Sequence, residues 1–294
     1  MKESKSDIWA QWLLQRRFGG NAERMRSALN DFLYPIRDNV LSHAGLSEDQ
    51  TLLDVGCGDG LIAFGALDRV KTCKVIFCDI SQDLLDHARS IAREMGVLKR
   101  CRFVRASADE LSTIPDSSVD VVTIRSVLIY VAAKEKAFTE FYRVLKPGGR
   151  LSVFEPINRF GWPEPPNLFS GYDVTPVTAI AAKVRALYER LQPADTDPML
   201  NFDERDLLAY AEKAGFKEIH LELKAEIKPP DQFTSWDAFM HDAGNPKIPS
   251  LEEAIAQTLT SEEAEKFTSY LHSLVETRQG TARSAIVYLW ASKA

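Results

Sequence analysis

The segment Leu52-Leu53-Asp54-Val55-Gly56-Cys57-Gly58-Asp59-Gly60 constrains this chain more than any other. Leu52, Leu53 and Val55 form the short apolar run of a buried parallel strand. Three glycines at alternate positions follow, and a backbone without Cβ bends sharply and lets a ligand approach closely. Spacing then separates the ligands. The dinucleotide fingerprint G-x-G-x-x-G puts its third glycine three positions after the second. Here that slot is Leu61, and the glycine comes one residue early, at Gly60. Asp54 places a carboxylate at the carboxyl end of the strand, where α/β sheets bind their ligands. Beside the turn it disfavours a pyrophosphate and suits the ammonium of an amino acid. A glycine-rich turn that binds nothing is the plain alternative.

A second strand, VIFCDIS, ends in Asp79, about 20 residues past the turn, the separation expected of a ribose-binding carboxylate. Two adjacent ribose hydroxyls can each donate to one of its oxygens, and Ile80 can lie against an adenine. Asp79 could instead be a helix N-cap, a role open equally to Ser81 and Asp83. Next come RFVRASADEL (102–111), VDVVTIRSVLIYV (119–131) and FYRVLKPGGRLSVFEP (141–156), read as third strand and loop, fourth strand and loop, and helix, turn and fifth strand. In the Leu145-Lys146-Pro147-Gly148-Gly149 turn, proline is expected to stop the helix and both glycines to permit the reversal.

Asp54-x-Gly56-x-Gly58-x-Gly60 resembles motif I of the class I S-adenosylmethionine (SAM) dependent methyltransferases, and residues 50–156 follow that family's order of elements. The chain is similar to its ubiquinone/menaquinone-type small-molecule branch. Residues 102–111 are similar to the family's F-V-x-G-D-A-E-x-L, with Ser107 where an aspartate is common, a weaker acceptor for the adenine amino group. Asp109 can take over that contact. The resemblance implies SAM as cofactor, S-adenosylhomocysteine as its product, and cofactor contacts from Asp54, Gly56, Cys57, Gly58, Gly60, Asp79, Ile80, Ser107, Ala108, Asp109 and Arg125. The backbone carbonyl at Arg125 is expected near the methionine part. A guanidinium facing a sulfonium is repulsive, so its side chain should turn away or pair with an acid. Arg17 or Arg37, from the N-terminal helices, could hold the methionine carboxylate.

The implied fold is α/β, a seven-stranded doubly wound sheet with N-terminal helices and a helical lid. Residues 5–46 read as two or three helices broken near Phe18-Gly19-Gly20-Asn21, with Ile8, Trp9, Trp12 and Leu13 on one amphipathic face. They form a cap segment over residues 1–46, and the SAM-binding domain spans 47–294. Two insertions leave its core. The first, 158–200, is rich in proline around a helix near 175–191. The second, 229–281, holds two helices marked by the capping boxes Ser250/Glu253 and Thr260/Glu263. Between the insertions, 202–216 reads as a helix capped by Asp203 and ended by Gly215. Strands are expected at 219–227 and 284–292.

Chemistry and compartment follow. A net charge of −6 without a long basic stretch argues against nucleic acid as partner. No run is apolar enough to span a bilayer, and Gln11 and Gln15 interrupt any signal core, so a cytoplasmic chain is expected. Cys57, Cys73, Cys78 and Cys101 read as buried reduced thiols, and five scattered histidines give no metal site. Methyl transfer needs acceptor, methyl and sulfur held in line, with a base only for an acceptor that must lose a proton. Tyr130 and Glu155 are the catalytic candidates, and Trp162, Tyr172 and His241 the substrate-binding ones. Glu155 could equally cap the segment after it. The expected function is methylation of a small, aromatic or apolar molecule, with homo-oligomer formation left open. The alternatives are a SAM-binding non-catalytic partner subunit and an NAD-dependent oxidoreductase.

Overall fold

The structure, a computed structural model, describes residues 7–18, 21–230 and 235–294. Its strands are β1 (Thr51–Val55), β2 (Lys74–Asp79), β3 (Cys101–Arg105), β4 (Val119–Arg125), β5 (Leu145–Pro156), a short pair β6 (Leu168–Phe169) and β7 (Tyr172–Asp173), β8 (Lys217–Lys228) and β9 (Ala282–Ser292). Seven form one sheet in the order β3-β2-β1-β4-β5-β9-β8, with β9 antiparallel to both neighbours and the rest of the pairs parallel. Order reverses between β1 and β4, which places the ligand crevice at their carboxyl ends.

Nearly continuous apolar strands reflect burial on both faces. Leu52, Val75, Phe77 and Val121 point to one side, against α3 (Tyr34–Ala44) and α4 (Leu61–Arg69). Leu53, Ile76, Val122 and Val153 point to the other, against α6 (Lys134–Val144) and α8 (Glu204–Ala214). α5 (Gln82–Glu94) packs on β2 and β3. Asp203 caps α8 and Gly215 ends it at φ +102°, as the residues 202–216 suggest.

The Leu145–Gly149 turn differs from expectation. α6 already ends at Val144, so Pro147 does not stop it. Of the two glycines only Gly148 has positive φ (+77°). Gly149 is needed for space instead, since a Cβ there would stand 2.8 Å from the Lys146 carbonyl oxygen.

Helices α1 (Ile8–Gln11) and α2 (Ala22–Ala28) precede α3. Gly19 and Gly20 of the expected break lie outside the described residues, as do residues 1–6. The first insertion contains β6, β7 and α7 (Thr178–Leu191). The second holds α9 (Trp236–His241), α10 (Leu251–Thr258) and α11 (Ser261–Glu276), with residues 231–234 outside the described set. α9 was not legible because a six-residue helix carries too few periods. Both capping boxes of α10 and α11 are formed. The insertions share one apolar cluster, in which Phe169 meets Phe267 edge-on at 5.4 Å and Tyr172 meets Phe239 at 5.5 Å.

Glu155, at the end of β5, is fully buried, and its carboxylate accepts from the backbone N–H groups of Val127 and Leu128 (2.8 Å each) and Ile129 (3.4 Å). It pins the loop after β4 and does not face the crevice, which corrects its expected place there. Burial pushes its pKa up to about 7 from 4.5, against the pull of those donors. Between these values the unfolded chain has released the proton that the folded chain keeps. Stability therefore falls as pH rises through this window, by at most about 1.4 kcal/mol per pH unit from this residue, and levels off above it. Glu155→Gln should flatten that part of the slope. It should also cost up to about 1–3 kcal/mol, most of it above about pH 7, because the amide nitrogen replaces one of the two oxygens that accept from these N–H groups. Urea unfolding midpoints from about pH 5 to beyond 7 measure both, and an unchanged slope would contradict this reading.

Candidate functional site

A cavity of about 290 Å³ opens where the β1 turn, the ends of β2 and β4 and the N-terminal helix meet. That volume lies near the lower end of the roughly 300–1,000 Å³ range of small-molecule sites. Gly56 and Gly58 form its floor at φ +65° and +54°. A Cβ on Gly56 would stand 2.2 Å from Val127 Cγ2, and one on Gly58 would stand 3.1 Å from Leu13 Cδ2. Gly56 thus lets the backbone lie against the loop after β4, and Gly58 lets it lie beneath the N-terminal helix. Cys57 is buried, and Gly60 (φ +88°) precedes α4 as its N-cap; neither lines the cavity.

Asp79 lines the cavity at 7% exposure. One oxygen accepts from the Gly58 N–H and the other from the Ser81 N–H, each at 2.9 Å. Ser81, whose hydroxyl accepts from the Leu84 N–H, is the N-cap of α5. The capping alternative for Asp79 is thereby removed. Each Asp79 oxygen keeps acceptor capacity, and burial raises its pKa. Ile80 (42% exposed), Ala108, Ser107 and Asp109 continue the wall, and the Ser107 hydroxyl donates to the Asp109 carboxylate.

Asp54 does not line the cavity. It is buried beneath the turn, accepting from the Thr123 hydroxyl (2.9 Å) and the Ala63 N–H (3.2 Å), and burial pushes its pKa up to about 7. Its role is to brace the turn from below, which corrects the expectation of a carboxylate facing the ligand.

The roof is the N-terminal helix. Asp7 caps α1, its backbone N–H donates to Asp83 at 2.7 Å, and its carboxylate accepts from the Ser81 hydroxyl at 2.6 Å. After α1 the helix widens over Trp12–Arg16, where the Arg17 N–H reaches the Trp12 carbonyl five residues back. Such widened turns are frequent at functional sites. Here the extra residue puts Arg17 beside Trp12, its guanidinium 5.5 Å from that ring, and both line the cavity with Trp9 and Leu13. Trp9 meets Tyr130 edge-on at 4.8 Å. Tyr130 is a wall residue whose pKa is pushed up to about 12 by burial, so it stays a neutral phenol.

Burial, then the nearby Arg125 charge, pull Arg17 down to about 10. Arg125 lines the cavity, and neither arginine has an ion-pair partner among the described residues. The expected pairing of Arg125 with an acid is not found among the described residues. Arg37 pairs with Asp38 at 2.7 Å and lies outside this cavity. Trp162 and Tyr172 line a separate cavity, and His241, held by Asp237 and Glu252, lines neither. Trp9, Trp12 and Leu13 are among the lining residues that sequence reasoning missed, as are Val127 and Leu84. The amphipathic face of the first three was visible, but nothing said what it covers.

Comparison with known proteins narrows the class. Residues 52–149 match the family model described as "Methyltransferase domain". The ubiquinone/menaquinone biosynthesis C-methyltransferase UbiE of Escherichia fergusonii is 40% identical over 114 residues, 38% of this chain and 45% of that protein. The chain thus matches less than half the length of this curated relative. Among solved structures, geranyl diphosphate C-methyltransferase from Streptomyces coelicolor, in complex with Mg²⁺, geranyl-S-thiolodiphosphate and S-adenosyl-L-homocysteine, aligns with a TM-score of 0.53 at 18% identity, covering 89% of this chain and 76% of that one. The 4+2 cyclase SpnF aligns at 0.52 with 23% identity, over 88% and 80%. These likenesses show the fold. Residues 52–149 thus carry a methyltransferase domain, and solved neighbours of the same fold hold SAM or its product S-adenosyl-L-homocysteine.

The residues suit that cofactor. A buried carboxylate with spare acceptor capacity fits a ribose, a glycine floor with no room for Cβ fits close backbone approach, and an unpaired guanidinium fits a carboxylate. The four cysteines are free, and among the described residues no group of three or more His, Cys, Asp or Glu is placed to hold a metal. No helix among them is long and apolar enough to cross a membrane.

Gly58→Ala should cost about 1–2 kcal/mol for its left-handed backbone and also displace Leu13. Trp9 and Trp12 would then move toward water and red-shift the tryptophan emission. Gly96→Ala is the control, since Gly96 also has positive φ (+70°) but nothing within 4 Å of its Cβ. It should carry the backbone cost without the spectral shift; equal shifts in both would contradict the roof contact.

Proposed function

We propose that the protein is a SAM-dependent methyltransferase acting on a small, apolar or aromatic molecule. The observation that carries this reading is Asp79, a buried carboxylate at the cavity wall with one oxygen on the glycine turn and one on the N-terminus of α5. When bound, SAM supplies a methyl group on a sulfonium that departs as a neutral thioether. Asp79 would hold the ribose hydroxyls, and Ile80, Ala108 and either Ser107 or Asp109 would hold the adenine. Gly56 and Gly58 would admit the methionine part, whose carboxylate Arg17 would take.

Catalysis would be mainly by positioning and exclusion of water. Of the two catalytic candidates, Glu155 is sealed by three backbone donors and Tyr130 stays protonated at neutral pH. Tyr130 then orients the acceptor as a hydrogen-bond donor. The described parts of the 1–46 segment and of the two insertions form the cover of a 47–294 domain in this reading. Relatedness to UbiE supports the small apolar acceptor.

Calorimetry with S-adenosylhomocysteine should give micromolar binding. Asp79→Ala should weaken it roughly 10²-fold, the loss of charge-assisted bonds to two hydroxyls. Arg17→Met should weaken S-adenosylhomocysteine but leave adenosine, which has no carboxylate, unchanged. No heat with the wild-type protein would overturn the proposal.

A further inference from the structure

We infer that a second cavity, between the two insertions and β9, is the chamber for the methyl acceptor and takes an uncharged, carbon-rich molecule. The word acceptor rests on the methyltransferase reading above. The cavity measures about 860 Å³, near the upper end of the range for small-molecule sites. Its walls include Trp162, Phe169, Tyr172, Tyr188, Phe239 and Ile286.

Most of its polar side chains are engaged within the protein, the exceptions among the buried atoms being the Tyr172 hydroxyl and Asp242 Oδ1, which have no hydrogen-bond partner and could meet a single polar group of the guest. Asn158 donates to the Met199 carbonyl (3.3 Å), and Asn245 donates to Gln192 (3.0 Å) while accepting from the Lys247 N–H (2.9 Å). Glu164 accepts from the Ser170 and Gly171 N–H groups at 2.7 and 2.6 Å, and Asp242 is held by Arg24. Arg283 is the one cationic side chain among the lining residues, and it is exposed. A phosphate or a zwitterion entering here would lose its water with little to replace it, at a cost of several kcal/mol. A carbon-rich body loses nothing of that kind and gains about 25 cal/mol per Å² of apolar surface buried.

Two contacts put this chamber next to the first cavity. The Trp12 indole, part of that cavity's wall, donates to the Ala243 carbonyl at 2.8 Å, and the flanking Asp242 and Gly244 line the chamber. Glu155 holds Val127, which lines the first cavity, while the following Pro156 and Ile157 line the second. The two cavities share no lining residue, and their walls abut at these two contacts.

The test uses two dyes with one skeleton, neutral N-phenyl-1-naphthylamine and its sulfonated analogue 1-anilinonaphthalene-8-sulfonate, titrated by fluorescence with and without S-adenosylhomocysteine. The neutral dye should bind saturably, at least tenfold tighter than the sulfonate, and should not be displaced by S-adenosylhomocysteine. Gly244→Trp has room, since a Cβ there meets only Ile248 at 3.9 Å. It and Ser284→Trp should each weaken the dye at least tenfold while S-adenosylhomocysteine binding stays within twofold, which also shows that the variants fold. Absent saturation, displacement by S-adenosylhomocysteine, equal affinity for the sulfonate, or indifference to both tryptophans would overturn the inference. If S-adenosylhomocysteine gives no heat while the dye results stand, the methyltransferase reading falls and the apolar chamber remains.

Discussion

The site depends on the two backbone hydrogen bonds that fix Asp79. Its carboxylate joins the glycine turn after β1 to the start of α5, so the two elements that form the floor and wall of the cavity cannot move apart without leaving a buried charge unpaired. Burying such a group without partners costs several kcal/mol. Asp54 repeats the device one layer down, linking β4 to α4 through Thr123 and Ala63. Glu155 repeats it at the other edge, holding the loop after β4. Three strand-end carboxylates thus set the shape of the crevice, and only Asp79 presents itself to a ligand.

Above this frame the N-terminal helix is a strap with one end on the sheet domain and the other on the second insertion. Asp7 ties it to Ser81 and Asp83, while Trp12 ties it to Ala243 and Arg16 to Glu253 at 2.6 Å. The Arg16–Glu253 ion pair is exposed and worth about 0–1 kcal/mol, and the other ties are single hydrogen bonds. The strap is held mainly by its apolar face, with Trp9 on Tyr130 and Leu13 over Gly58. Its widened turn explains how both a tryptophan and an arginine from one short helix reach the same cavity. Arg17 is left with its charge desolvated beside a like charge, and an anionic group between Arg17 and Arg125 would relieve that repulsion.

Much of the sheet was legible because each strand from 51 to 156 announces itself by an apolar run and a turn, and local pattern fixes a parallel sheet strongly. Asp79, Gly56, Gly58, Ile80 and Ser107 to Asp109 were readable for the same reason, since each closely follows or ends a strand of the parallel sheet, and the sheet brings those ends together. Asp54 and Glu155 were misplaced because a strand-end carboxylate looks alike whether it faces the ligand or backbone donors beneath it. Arg17 was named as one of two candidates for a carboxylate partner, whereas Trp12 depends on packing between segments 231 residues apart in sequence, with Ala243. No periodicity encodes that contact. The shared core of the two insertions, with Phe169 on Phe267, was hidden likewise.

A crystal structure with S-adenosylhomocysteine tests the central claim most directly. The nucleoside should lie in the cavity floored by Gly56 and Gly58, with both ribose hydroxyls within hydrogen-bond reach of the Asp79 carboxylate, and the amino-acid end beneath Arg17. Density for the nucleoside elsewhere, or an Asp79 that contacts only Gly58 and Ser81 while the sugar faces solvent, would contradict it.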